Sequence, residues 1–177
     1  MRCLAKVKME MEWGPKRMTS DIGEHLKEFM IRVPQCVTVV TAVGMDGPIG
    51  ATVSSFTSVS LRPPLVLIAL DNLSETGRII MERGLFAVNL LSEYMSELSE
   101  KFAYKPYSER FRNVSYGLSE AGLPVIEGVI AVMECRLRTT YRPGDHTLYV
   151  GEVMSVTILE EKPPLVYYLR GYTGLKV

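Results

Sequence analysis

The run VTVVTAVGMDGPIGATVSSFTSVS, Val37 to Ser60, decides the fold. Its first part, Val37 to Val43, is rich in Val and Thr, whose branching at Cβ suits an extended, pleated backbone. Asp46-Gly47 is a turn dipeptide, and Pro48 to Ser60 reads as the returning strand, so the run predicts a β-hairpin. That returning strand carries six hydroxyls in the nine residues from Thr52 to Ser60. Alternation along one strand puts Thr52, Ser54, Phe56, Ser58 and Ser60 on one face, with Val53, Ser55, Thr57 and Val59 on the other. A ring among hydroxyl donors suits a ligand with a flat ring and a phosphate, because hydroxyls and backbone N–H groups hold an anion without a lysine. The plainer alternative is a polar edge strand facing water. The residues alone leave both open.

Upstream, residues 1–18 have no clean period and are expected to form an N-terminal arm. Asp21 and Glu24 have capping-box spacing, and Ile22, Leu26, Phe29 and Met30 then recur at helical intervals. This predicts a short amphipathic helix that ends before Pro34. Downstream, Pro63-Pro64 breaks the ladder, and Leu65 to Leu70 is a fully apolar strand, expected to be buried on both faces. Ser74 to Arg83 reads as a helix with Ser74 as N-cap and Gly84 as its stop. Leu85 to Leu91 is a further strand, and Ser92 is expected to cap a helix bearing Tyr94, Leu98 and Phe102. Residues 104–124 read as a long polar and aromatic loop of the kind that borders sites. Val129 to Tyr141 and Thr147 to Leu159 are long strands joined at Pro143-Gly144-Asp145, and Leu165 to Leu169 is the last. Six or seven strands with few helices predict a mainly β fold with peripheral helices, a closed β-barrel in a single domain over 19–177.

Composition removes whole classes of function. Lys plus Arg is 20 and Asp plus Glu is 20 in 177 residues, so the net charge is zero. Nucleic acid and anionic membrane surfaces both need a basic field, so neither is an expected partner. Apolar runs such as Leu65–Leu70 are too short to span a bilayer, and no secretory pattern follows Met1. Cys3, Cys36 and Cys135 are an odd number without a CxxC pair, which argues against a disulfide framework. With only His25 and His146 as histidines, no metal site is expected. A soluble, cytoplasmic protein is the expectation. Gly44, Gly47 and Gly50 are spaced as hairpin glycines and not as a dinucleotide fingerprint, and no phosphate loop or nucleophile elbow occurs. Carboxylates are spread singly, so the paired acids of a hydrolase are missing.

Three further places carry chemistry. Asp71-Asn-Leu-Ser-Glu-Thr76 opens a helix directly after a buried strand, where free N–H groups bind an anion or a polar ring edge, or where Ser74 simply caps. Asn89 sits inside the apolar strand Phe86–Leu91, so its amide must find partners in its own backbone neighbours or in a ligand. His146 follows Gly144-Asp145 at a turn mouth. It either orients a substrate, with Asp145 fixing its tautomer, or is an ordinary turn residue.

Taken in order, these segments resemble one family. They are VTVVT (Val37–Thr41), G-x-T-x-S-S-F-x-S-x-S (Gly50–Ser60), PPLV (Pro63–Val66), D-x-x-S-x-T (Asp71–Thr76), FAVNxL (Phe86–Leu91) and Lys101-Phe-Ala103. GDHTLxVGEV (Gly144–Val153) and a late PLVYY followed by Arg170-Gly171 complete the set. From about Pro34 to Leu175 the chain is similar to the flavin reductase-like proteins with an FMN-binding split barrel. The resemblance implies a homodimeric split β-barrel that holds FMN, or FAD, in a groove near the subunit interface. It implies that Thr52, Ser54 and Ser55 hold the flavin phosphate, supported by the Lys101 position, with Val53, Ser58, Thr76 and Phe102 also among the cofactor-binding residues. The ring edge would meet Phe56, Asp71, Asn72, Leu73 and Ser74, with Asn89, Leu90 and Leu91. His146 would orient NADH or NADPH on the open face for hydride transfer from the nicotinamide C4 to the flavin N5. Such a reaction needs stacking and orientation more than a strong acid or base. Electrons or reduced flavin would then pass to an acceptor such as a partner monooxygenase. An FMN-holding electron carrier or a ferric-complex reductase is the alternative the resemblance leaves.

Overall fold

The computed structural model describes residues 21–175, so the proposed arm over 1–18 lies outside the described residues. Helix α1 (Ile22–Met30) starts where the Asp21 carboxylate accepts a hydrogen bond from the Gly23 N–H at 2.8 Å. A short β1 (Gln35–Cys36) follows, then β2 (Thr38–Gly44), β3 (Gly47–Val53), β4 (Phe56–Leu61) and β5 (Pro64–Asp71). Helix α2 (Glu75–Arg83) is capped by Ser74 and closed by Gly84, whose φ of 70° is the left-handed conformation that glycine adopts freely. Then come β6 (Leu85–Leu90), α3 (Ser96–Tyr104), the single turn α4 (Tyr107–Arg110), β7 (Tyr116–Leu118) and β8 (Pro124–Ile126). The chain ends with β9 (Ala131–Tyr141), β10 (His146–Ile158), β11 (Val166–Tyr168) and β12 (Gly171–Thr173).

Seven strands form one antiparallel sheet in the order β3-β2-β6-β9-β10-β5-β4. The expected return strand is therefore two strands. β3 pairs with β2 and β4 pairs with β5, at opposite edges of the same sheet. Ser54 and Ser55 are the corner between them. There the ladder gives way to side-chain bonds: the Ser55 hydroxyl donates to the Ala69 carbonyl at 2.8 Å and accepts from the Ala69 N–H at 3.2 Å. The barrel is consequently split and not closed, and the expected alternation from Thr52 to Ser60 stops at the corner.

Two other expectations change. Ser92 does not cap α3, which begins at Ser96 without a side-chain cap; Ser92 is instead buried in a bridge to Pro164. The segment 104–124 is not a plain loop, since it holds α4 and the first strand of the β7–β8 hairpin.

Inside the barrel, Val40, Ile68, Ile80, Phe86 and Tyr149 form the main core. A Cβ at Gly151 would sit 2.5 Å from Phe86 Cζ, so glycine there lets the ring lie against β10. A second cluster, with Val37, Val39, Leu91, Phe102 and Leu165, packs α3 on the sheet. β5 is buried on one face and not on both as expected: on β5 and β10 the alternate residues Leu65, Leu67, Leu148 and Val150 point outward and stay half-buried, while Val66, Ile68, Thr147 and Tyr149 are buried.

Candidate functional site

The register of β5 on β10 pairs Asp71 with His146, which brings the 71–74 loop against the turn that begins β10. Asn72 locks the two together. Its amide donates to the Gly144 carbonyl at 2.7 Å, its carbonyl accepts from the Thr147 hydroxyl at 2.7 Å, and its N–H reaches the Asp145 carbonyl. The loop folds on itself as Asp71 Oδ1 accepts from the Leu73 N–H at 2.7 Å. The β3–β4 corner lies across from this loop because Ser55 is tied to Ala69. Between them opens a cleft of about 490 Å³, lined by residues 51–55, 69–71, Leu73, Ser74, Phe102, Ala103, Tyr107, Arg110 and His146. A larger hollow, about 870 Å³, lies by the β7–β8 hairpin. Part of the 104–124 segment lines it, but none of the candidate binding or catalytic residues does, and Glu120, Glu127, Glu134 and Glu160 give it an acidic wall, so the smaller cleft is the candidate site.

The hydroxyls of the corner are not equivalent. Thr52 Oγ1 donates to the Ser99 carbonyl at 2.6 Å, and Ser55 is spent on Ala69. Ser54 is half-buried, lines the cleft, and its hydroxyl has no partner among the described residues. Val53 belongs mainly to the core, and Phe56 packs against that core outside the cleft lining. Ser58 is exposed on the edge strand β4, away from the cleft.

Across the cleft, Ser74 accepts from the Gly77 N–H and shares a hydrogen bond with the Tyr107 hydroxyl, which also accepts from the Glu75 N–H at 3.1 Å. Tyr107 thus pins the start of α2. Leu73 is 91% exposed at the cleft mouth. Thr76 is fully buried in α2, its hydroxyl without a partner among the described residues, and does not line the cleft.

Asn89 is likewise apart from the cleft. Its amide nitrogen lies within bonding distance of the Val39 carbonyl, Thr41 Oγ1 and the Pro124 carbonyl, and its oxygen accepts from the Ile126 N–H at 3.0 Å. Its bonding capacity is consumed by the fold. Leu90 and Leu91 sit beside it, Leu91 in the core under α3. The Lys101 ammonium binds the Arg112 carbonyl and borders two other hollows. Its neighbour Phe102 is turned inward, fully buried, and does line the cleft.

His146 is about half exposed, with Nδ1 2.9 Å from Asp145 Oδ1. That hydrogen bond holds the Asp145 carboxyl below its ordinary range. The cleft also contains residues that sequence reasoning missed, chief among them Arg110. Only 8% exposed, it lies 3.8 Å from the Tyr107 ring centroid. Nη1 donates to the Gly50 carbonyl at 2.8 Å and Nε to the Lys105 carbonyl at 2.9 Å. Burial pushes its pKa below the ordinary guanidinium value. The available signal was the i, i+3 spacing of Tyr107 and Arg110, which places both on one side of a helical turn.

The arrangement offers anion-holding donors, an apolar floor and one imidazole, without paired carboxylates. Such a site binds and orients; it does not supply a strong acid–base pair. Among the described residues no group of three His, Cys, Asp or Glu side chains is placed to hold a metal ion, and no helix is long and apolar enough to cross a membrane.

Residues 30–176 match the family described as flavin reductase like domain. The chain is 39% identical over 142 residues to a flavin reductase of Pseudomonas putida, covering 80% of this chain and 83% of that protein. It is 38% identical over 152 residues to the reductase component of 4-hydroxyphenylacetate 3-monooxygenase from Thermus thermophilus, covering 86% and 96%. The solved structure of the Streptomyces globisporus C-1027 NADH:FAD oxidoreductase SgcE6, in complex with NAD and FAD fragments, superposes with a TM-score of 0.84. That pair shares 31% identity, over 91% of this chain and 97% of the other.

Proposed function

The chain belongs to the flavin reductase-like family, and from that premise we propose that it is an NAD(P)H-dependent reductase of FMN or FAD that supplies electrons or reduced flavin to a partner monooxygenase. One observation carries the assignment to this cleft: the Ser54 corner, the Asp71–Ser74 loop and His146 come from three distant parts of the chain and converge on one opening. When bound, the flavin supplies the acceptor for the hydride that a reduced nicotinamide gives up. The protein's own part is to bind and orient. Ser54 donates toward the phosphate end, the Asp71–Ser74 loop meets the ring edge, and Phe102 with Ala69 floors the cleft. His146, steadied by Asp145, orients the nicotinamide.

Ala69 and His146 lie on the outward side of β5 and β10, in line with the half-buried Leu65, Leu67, Leu148 and Val150. A second copy covering that apolar strip would wall the cleft, so a homodimer is part of the proposal. Free Cys36 and Cys135 suit a reducing cytoplasm, and residues 19–177 are taken as the folding unit. Anaerobic mixing of the flavin-loaded protein with NADH and with NADPH tests the function. Bleaching of the flavin absorbance is expected with at least one of them, and none with either overturns the assignment. Sedimentation should give a dimer; a monomer with full turnover overturns that part.

A further inference from the structure

Among the described residues, Arg110 is the only charged side chain that is buried. A buried charge is costly unless it is paired. The fold gives this guanidinium two backbone carbonyls and the face of Tyr107, which aim it without neutralising it. No carboxylate lies within ion-pair reach of it among the described residues, whereas the exposed Arg78 of α2 has two, Glu75 and Glu82. Nη2 has no acceptor among the described residues, and the residue lines the cleft together with Ser54, whose hydroxyl is also free. A cation this deep, already oriented and still short of one anion, is a receiver waiting for an oxyanion.

We propose that Arg110 is the cation that receives the phosphate ester of the flavin, a role that rests on the flavin reading above and that Lys101, turned onto the Arg112 carbonyl, does not fill. A planar guanidinium matches phosphate oxygens with a fork of N–H donors, and charge-assisted bonds of this kind are the stronger ones. Stacking on Tyr107 fixes the fork before the ligand arrives, so little rotamer freedom is lost on binding. Tyr107 is a positioning residue in this scheme. It holds Arg110 on one side and the start of α2 on the other, which makes α4 a working wall of the cleft.

FMN and riboflavin share the ring and the ribityl chain and differ by the phosphate, so the ratio of their affinities isolates the group Arg110 would hold. Apoprotein is titrated with FMN, FAD and riboflavin by fluorescence, for wild type, Arg110→Gln and Arg110→Lys. Wild type should prefer FMN to riboflavin. Arg110→Gln should lose about 10- to 100-fold in FMN affinity, and similarly for FAD, with riboflavin held within about twofold. Arg110→Lys keeps the charge without the fork and should fall between. It also serves if the Gln variant does not fold, narrowing the ratio at least about threefold by the same arithmetic. An unchanged ratio in the folded variants overturns the proposal. So does an equal loss for all three ligands, which marks a structural role, or an unchanged ratio with a raised KM for NADH, which moves the cation to the dinucleotide. Wild type that binds none of the flavins brings down the flavin reading itself, a failure visible before any variant is made.

Discussion

Asn89 and Arg110 are both buried polar side chains, and they sit in opposite situations. Asn89 lies between β2, β6 and β8 with three acceptors around its amide and an N–H on its oxygen. Arg110 lies between α4, β3 and the cleft with two of its donor groups spent and its charge unanswered. Burial alone marks a polar group as expensive. Spare bonding capacity separates a group the fold uses from one it keeps for something else. Thr52 and Ser54, two residues apart, repeat the contrast: one hydroxyl is tied to α3, the other has no partner among the described residues and faces the cleft.

The largest expected effect tests the saturated side of this comparison. Asn89→Leu keeps the volume but strips the buried Ile126 N–H of its acceptor and the Val39 carbonyl of a donor. Stability should fall by about 3 kcal/mol, because each orphaned buried group costs about 1–3. For a chain of this length that is a drop of roughly 6–12 °C in Tm. FMN affinity below the melt should stay within about twofold. A variant that keeps its Tm and loses FMN would break the comparison at its first member. Next in size is His146→Ala, a residue whose ring is bonded, among the described residues, only to its neighbour Asp145 at the cleft mouth. Stopped-flow reduction by the preferred nucleotide should slow by about 100-fold, the loss that misplacement by roughly 1 Å brings where geometry carries the rate. FMN affinity should not move. Equal loss of FMN binding and thermal stability would put His146 with Asn89.

What was legible in the sequence was local. Asp21 and Ser74 announce their helices because a cap acts within three residues, and β9 and β10 declare themselves by length and pattern. The corner at Ser54–Ser55 was not legible, since the residues run on with strand-like composition and the break is made by Ala69, fourteen positions away. Lys101 drew attention as a cation in a site motif, but neighbours on a helix point about 100° apart, so a Phe102 facing the core turns Lys101 outward. Arg110 was hidden for the opposite reason. One helical turn inside a polar, aromatic segment has no period to read, and the Gly50 carbonyl that fixes it is sixty residues upstream. Asn89 stayed open between ligand and backbone because its partners Val39, Thr41, Pro124 and Ile126 are brought in by two other strands.

The Thr52 and Ser54 pair gives the finer cut. Ser54→Ala removes the free hydroxyl, and FMN affinity should fall about tenfold, since a bond to a charged group is worth about 1.5–3 kcal/mol at best. Tm should hold within about a degree, because the fold makes no use of that oxygen.

Thr52→Val is the smallest effect and the sharpest test. Valine keeps the branched shape that suits β3 and deletes only the bond to the Ser99 carbonyl, which also lies within α3. A hydroxyl bond of this kind contributes about 1 kcal/mol net, so Tm should drop by roughly 2–4 °C. FMN affinity should stay within about twofold, because the oxygen is already spent on the fold. If thermal scans show no change while FMN titration weakens more than about fivefold, Thr52 exchanges its bond to α3 for one to the ligand. Saturation would then no longer identify a group that belongs to the fold. The rule drawn from Asn89 would hold only where, as there, several backbone partners from different strands close on one side chain at once.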